Sequence, residues 1–277
     1  MTRNLLIASA LLLGIMSTPS LADTLENFTY TGLKSGGLVN ASNDGGVTSG
    51  IGDAGVGAGV LGSQDINVFC VDFDRDINDG QSYTADVSYN VTDAAGAQSG
   101  NYFAGGLASA LNAPDSNNTT GNYIQNTPSS VTSQQRADEV AYLVHTYDNA
   151  GNGAFGNDGK TLGTNMAAVQ LSIWDIETDG GDGLSKGLFL GQDSTTVTTY
   201  GSLVNTLETQ AADHENDQYL DVKWIQSPYG ANPADPTTYQ SFAYCLPVPE
   251  ASTVAIFAIM LAGGLLCLRT AKKQQTA

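Results

Sequence analysis

Two uncharged apolar runs, one at each end of the 277-residue chain, bound what the rest can fold into. The first stretch, "MTRNLLIASALLLGIMSTPSLA", carries Arg3, an apolar run over residues 5–16 and a small-x-small site at Ser20-Leu21-Ala22. That layout predicts a secretory signal peptide, residues 1–22, cut before Asp23. The second run, residues 254–268, holds no charge and is followed by Arg269, Lys272 and Lys273. It is somewhat shorter than the roughly 20 residues that span a bilayer comfortably. Because it is apolar on every side, it reads as a transmembrane helix over 253–268 rather than a core helix. The basic tail, 269–277, suits a cytoplasmic end.

Between these ends lies a body long enough to build one substantial core. Four of the ten Lys and Arg (Arg3, Arg269, Lys272, Lys273) sit in the ends, leaving six against all 28 Asp and Glu, a net −22. A field of that sign repels phosphate backbones, so no nucleic-acid partner is expected; it favours solubility outside the cell.

Along the body, residues 34–63 ("KSGGLVNASNDGGVTSGIGDAGVGAGVLGS") are rich in Gly, Ser, Asn and Val and predict a loop-rich sheet edge or a flexible arm. Rough polar–apolar alternation predicts strands at "DINVFCVDF" and "SYTADVSYNVT", with later ones at "QYLDVKWIQ" and "TYQSFAYCLPV". Residues 112–130 read as a long loop. One helix begins near Thr132, with Gln135 placed for a capping box and Ala137, Val140, Ala141, Val144 and Tyr147 at helical spacing. A second begins near Thr164, runs through "NMAAVQLSIWDIE" and stops at Asp179-Gly180-Gly181; "GSLVNTLETQAADHE" predicts a third. Strands at both ends with helices between them predict an α+β fold. The expected core is β-rich, barrel- or sandwich-like, with a cluster of two or three helices beside it.

Few catalytic patterns are present. The two histidines, His145 and His214, lie far apart, and no His-x-x-x-His or Cys-x-x-Cys pair exists, so no zinc site of the usual spacing is expected. A Gly-x-x-x-x-Gly-Lys-Ser/Thr P-loop is missing from the sequence. The chain is therefore not expected to be an enzyme or to carry a cofactor. In "DFDRDINDG", Asp72, Asp74 and Asp76 alternate and offer oxygens to a hard cation. Counted from Asp72, however, the sixth and twelfth positions of a calcium loop hold Ile77 and Tyr83; from Asp74 they hold Asp79 and Ala85. Neither register works, and a solvated turn is the simpler reading. Of three cysteines, Cys267 lies in the membrane run. Cys70 and Cys245 are exported, where a disulfide between them is permitted and would close nearly the whole body into one loop.

Set beside each other, "VFCVDF" and "AAVQLSIWDIE" resemble the internal thioester domains of bacterial surface adhesins. There an aromatic-Cys-hydrophobic motif supplies a thiol and a later Gln-x-small-hydrophobic-Trp motif on a helix supplies a side-chain amide. The matching residues are Phe69, Cys70 and Val71, then Gln170, Ser172, Ile173 and Trp174. The likeness covers roughly residues 67–177 and includes the preceding helix "ADEVAYLVHTY". It implies a thioester-like exported domain over residues 23–246. In it, Cys70 attacks the Gln170 amide and expels ammonia, and Phe69 and Trp174 shield the product from water. An amine on a surface or matrix protein would then open the bond, giving covalent adhesion. Two positions depart from the motif: Val169 stands where threonine is usual, and Ser172 where alanine is.

The last 31 residues, 247–277, resemble the PEP-CTERM sorting signal of Gram-negative bacteria: a motif at 248–253 ("VPEAST", with Val248, Pro249 and Glu250), an apolar run and a basic tail. Ala251 replaces the motif's second proline. Many proteins of that group also carry a Phe-Cys…Gln-x-x-Ile-Trp pattern. The resemblance implies an exosortase-type processing enzyme and an inner-membrane-anchored intermediate. The final location would be the cell surface or the extracellular, polysaccharide-associated matrix of a biofilm. The alternative implied for the body is a passive exopolysaccharide-associated module with a Cys70–Cys245 disulfide or free thiols.

Overall fold

A computed structural model describes residues 24–42, 49–71, 77–88, 133–148, 159–186, 189–217, 221–226 and 240–246, with 150, 152–155 and 219 between them. The expected signal peptide, calcium-loop aspartates Asp72, Asp74 and Asp76, long loop, sorting motif (Val248, Pro249, Glu250) and transmembrane run all lie outside these residues. Among the described residues no helix is long and apolar enough to cross a membrane.

Seven strands and three helices make up the described body. The strands are β1 (Thr24–Ser42), β2 (Ser49–Leu61), β3 (Gln64–Cys70), β4 (Ser82–Ser88), β5 (Leu190–Gly191), β6 (Val222–Gln226) and β7 (Phe242–Cys245). The helices are α1 (Ser133–Tyr147), α2 (Leu162–Asp179) and α3 (Ser194–Ala212), with one 3-10 turn at Asn152–Phe155. This is an α+β fold built on a curled antiparallel sheet in the order β2-β3-β7-β6-β4-β1-β5, in which β1 also pairs with β2.

The described residues of the glycine-rich segment are mostly strand. They supply about half of β1 and all of β2, a long hairpin paired from Phe28↔Leu61 to Ser42↔Ser49. The other edge of β1 pairs with β4 from Thr24↔Val87 to Thr29↔Ser82, so one strand joins two parts of the curl. Its glycines make room for rings. A Cβ on Gly57 would meet Tyr30 Cε2 at 2.7 Å, and one on Gly59 would meet Phe28 Cε2 at 2.5 Å. The aromatic volume of this part of the core therefore comes from β1, and β2 stays bare to accept it. At Gly55, φ is +147° and a Cβ would lie 2.2 Å from the Ser35 carbonyl oxygen. A side chain there is excluded on both counts.

Phe28 contacts Tyr83 edge-on at 5.4 Å and Phe242 at 5.3 Å, while Tyr30 stacks on Phe242 at 5.6 Å. Helix α2 packs across β1 and β2, with α1 and α3 against it. Residues 165–178 of α2 are all buried, which explains why "NMAAVQLSIWDIET" has no polar face: it is a central helix covered on every side. Thr161 caps its start by accepting from the Thr164 amide at 3.2 Å, and Gly180 ends it in the left-handed conformation.

Candidate functional site

The antiparallel register of β3 and β7 pairs Cys70 with Phe242. The Val71 amide donates to the Ser241 carbonyl at 3.0 Å, so the adjacent Cys70–Phe242 pair is the non-hydrogen-bonded kind. The backbone N–H and C=O of Cys70 therefore point away from β7, toward the edge where β2 lies. The β2–β3 ladder ends at Gly57↔Val68. Cys70 would face Gly55 if it continued, and Gly55 is where β2 makes its close approach to β1 at Ser35. The described β2–β3 ladder thus stops short of the two polar groups of Cys70.

Gln170 fills that place. Its side-chain oxygen Oε1 accepts from the Cys70 amide at 3.0 Å, and its Nε2 donates to the Cys70 carbonyl at 2.7 Å. One side-chain amide thus extends the ladder by one step. Two motifs 100 residues apart are joined through buried hydrogen bonds, with Gln170 only 1% exposed. The Cys70 sulfur accepts a hydrogen bond from Gln240 Nε2.

Trp174 lies one turn beyond Gln170 on α2, buried and 6.3 Å from the Phe189 ring. Phe69 is fully buried too, but side chains alternate along a strand and turn it to the face opposite the Cys70 side chain. The rings on the sulfur's own face are Phe242 and Tyr30. Burial raises the Tyr30 hydroxyl to about 12, with smaller contributions from Asp79, Cys70 and Asp53. Sequence reasoning missed both rings, because neither belongs to a motif; only the register places them there.

The disulfide alternative meets a different geometry. Cys70 and Cys245 are both buried, and no disulfide joins them. Cys245 lies three residues beyond the Cys70 partner on β7, which turns it to the other face and carries it about 10 Å along the strand. A disulfide needs Cα atoms within about 7 Å and converging Cβ vectors, and this register offers neither.

Cys245 has its own surroundings. The β6–β7 ladder pairs Val222 with Cys245, which puts Asp221 beside it. The thiol donates to Asp221 Oδ2 at 3.3 Å, and His145, in the last turn of α1, meets the same oxygen through Nδ1 at 2.7 Å. Burial opposes the Asp221 charge, yet the hydrogen bonds from Cys245 and His145 outweigh it and hold that carboxyl below its usual range. Burial, then the Asp221 hydrogen bond and charge, then Asp148, push the Cys245 thiol up to about 12. No sequence spacing signalled this cluster, since its members stand at 145, 221 and 245.

No family model matches the chain, and neither a curated protein nor a solved structure does.

Proposed function

We propose that the chain is an exported cell-surface or matrix protein whose body forms an internal Cys70–Gln170 thioester for covalent attachment to amine-bearing partners. The observation that carries this reading is the two-point hydrogen bonding of the Gln170 amide to the Cys70 main chain. A thiol and an unactivated amide react slowly unless held together, and the two hydrogen bonds hold the Gln170 amide against the residue that carries the thiol. The Cys70 N–H already donates to Oε1, the atom on which negative charge develops when the sulfur adds to the amide carbon. Collapse of that adduct breaks the C–N bond and releases ammonia, with Nε2 taking the thiol proton. An incoming amine then forms an amide at the Gln170 carbon and returns Cys70 as a thiol. Deep burial of Gln170 supports a bond that survives in water before a partner arrives. The acidic body favours approach of lysine-rich surfaces.

The terminal segments support export through a signal peptide and sorting by an exosortase-type enzyme, with membrane residence through residues 253–268 before processing.

One observation favours a second reading, a passive matrix or polysaccharide-associated module with free thiols. The Gln170 amide satisfies both polar groups of Cys70, which is a sufficient structural role without any chemistry. Intact mass of the exported form separates the two. A thioester lowers it by one ammonia, and methylamine treatment restores mass by adding the amine; Cys70→Ala and Gln170→Ala abolish both effects. A full mass with an alkylatable Cys70 would leave only the passive module.

A further inference from the structure

We propose that His145, Asp221 and Cys245 form a binding site for a zinc-class divalent cation, independent of the Cys70–Gln170 contact. Among the described residues, these three donor atoms, one nitrogen, one oxygen and one sulfur, lie within 4.8 Å of one another. Each comes from a separately anchored element. His145 sits in the last turn of α1, which packs over β6 and β7; Asp221 precedes β6; Cys245 ends β7. The β6–β7 pairing sets the Asp221–Cys245 spacing, and Tyr219, its ring 4.9 Å from that of His145, packs against the imidazole.

The donor set selects the ion. Thiolate and imidazole suit zinc and its neighbours in the first row, whereas calcium and magnesium take oxygen almost alone. Ligands about 2.0–2.3 Å from a tetrahedral zinc stand about 3.5 Å apart. The present separations of 2.7 Å (His145–Asp221) and 3.3 Å (Asp221–Cys245) both fall short of that value. Side-chain adjustments of under about 1 Å would admit the ion at those two pairs. Binding releases the thiol proton now donated to Asp221 Oδ2 and requires the His145 tautomer with its proton on Nε2, so that Nδ1, Oδ2 and the thiolate all face one cation. With side chains 43% and 32% exposed, His145 and Asp221 place the site at the surface. A fourth position is therefore open to water or to a ligand from outside, the arrangement of a three-ligand zinc centre.

The bland account of the cluster is a carboxylate oxygen accepting two hydrogen bonds. Cobalt(II) tells the two apart. The full chain, purified in mild detergent and stripped with chelator, is titrated with Co2+ and then with Zn2+. The expected result is a near-ultraviolet thiolate-to-cobalt charge-transfer band at one equivalent, bleached by zinc. Cys245→Ser removes the band, His145→Ala weakens binding at least tenfold, and Cys70→Ser leaves both unchanged. His145 is exposed near a helix end, so its alanine variant remains interpretable if Cys245→Ser folds poorly. The proposal is overturned if no band appears at millimolar cobalt, or if the band persists in Cys245→Ser, or if His145→Ala binds like the parent. None of these readouts depends on the mass of the Cys70–Gln170 pair.

Discussion

Removing the Gln170 amide should be among the most damaging single changes to the described core, and the geometry says by how much. In Gln170→Ala the Cys70 N–H and C=O lose the two hydrogen bonds they make to the Gln170 amide, at a site 1% exposed. Each orphaned buried group costs about 1–3 kcal/mol, so the pair costs about 2–6 kcal/mol. At a slope of ~2–3 kcal/mol per molar urea, the midpoint falls by about 0.7–3 M. The comparison is made in a Cys70→Ala background, which keeps the main-chain groups and removes any covalent bond. Fluorescence of the two tryptophans, Trp174 and Trp224, reports unfolding. Gln170→Glu adds a signed test. A neutral glutamic acid offers one acceptor and one donor and can restore both hydrogen bonds; a carboxylate loses the donor and buries a charge. Its folded pKa is thereby raised above the unfolded value of ~4.3. Stability relative to the parent is then best below about pH 4 and is lost as pH rises through the folded pKa. An alanine variant within about 0.5 kcal/mol of the background, or a glutamate variant with no such pH dependence, would refute the clamp.

The hairpin gives a paired test by thermal unfolding. Gly55→Ala, at φ +147° and 2.2 Å from the Ser35 carbonyl oxygen, should cost more than about 2 kcal/mol, while Gly52→Ala, with nothing within 4 Å, should be near neutral. Equal effects would contradict the close approach of β1 and β2. Glu139 in α1 is pushed up to about 7, by burial first and then by Glu215, Glu208 and Asp138 against the pull of Arg136. A carboxyl raised on folding contributes stability that is present below its unfolded pKa and lost as pH climbs through about 7. Glu139→Gln should therefore match the parent at pH 4 and exceed it at pH 8 in urea melts; a parallel offset at both values would dismiss this account. Thr161→Ala, which deletes the cap on the Thr164 amide, should lower stability by about 1 kcal/mol by the same assay.

Much of the helical layer was legible because its signals are local. The end of α2 at Asp179-Gly180 follows from the left-handed glycine, and its start differs by only a few residues because Thr161 and Thr164 both have capping chemistry. Helix α3 begins at Ser194, seven residues ahead of the expected "GSLVNTLETQAADHE". Its Thr-rich first turns have modest helix propensity, yet Asp193 caps them and Thr196, Tyr200 and Val204 are buried. The β1–β2 hairpin was illegible for the opposite reason. Glycine weakens strand signals locally, and the rings that need the space, Phe28 and Tyr30, lie more than twenty residues away in sequence. The same division applies to the sites. Cys70 and Gln170 carry motifs and could be paired from sequence, whereas His145, Asp221 and Cys245 meet only through the β6–β7 ladder and the end of α1.

The clamp and the thioester make different demands on one amide, and this gives the second an energetic cost visible in the first. Forming the bond expels Nε2, the atom that donates to the Cys70 carbonyl at 2.7 Å. That carbonyl would lose a buried partner, a penalty of about 1–3 kcal/mol unless water or another donor replaces it. The Cys70 N–H keeps its acceptor throughout, because the thioester retains Oε1. A bonded molecule should therefore show slow hydrogen exchange at the Cys70 amide and a weakened contact at its carbonyl, while an unbonded one keeps both. Carbonyl-labelled Cys70, followed by NMR before and after methylamine, distinguishes the states without relying on mass. Methylamine converts the acyl group to a secondary amide whose N–H can again donate. An unchanged Cys70 carbonyl signal would mean that Gln170 had acted as a clamp alone.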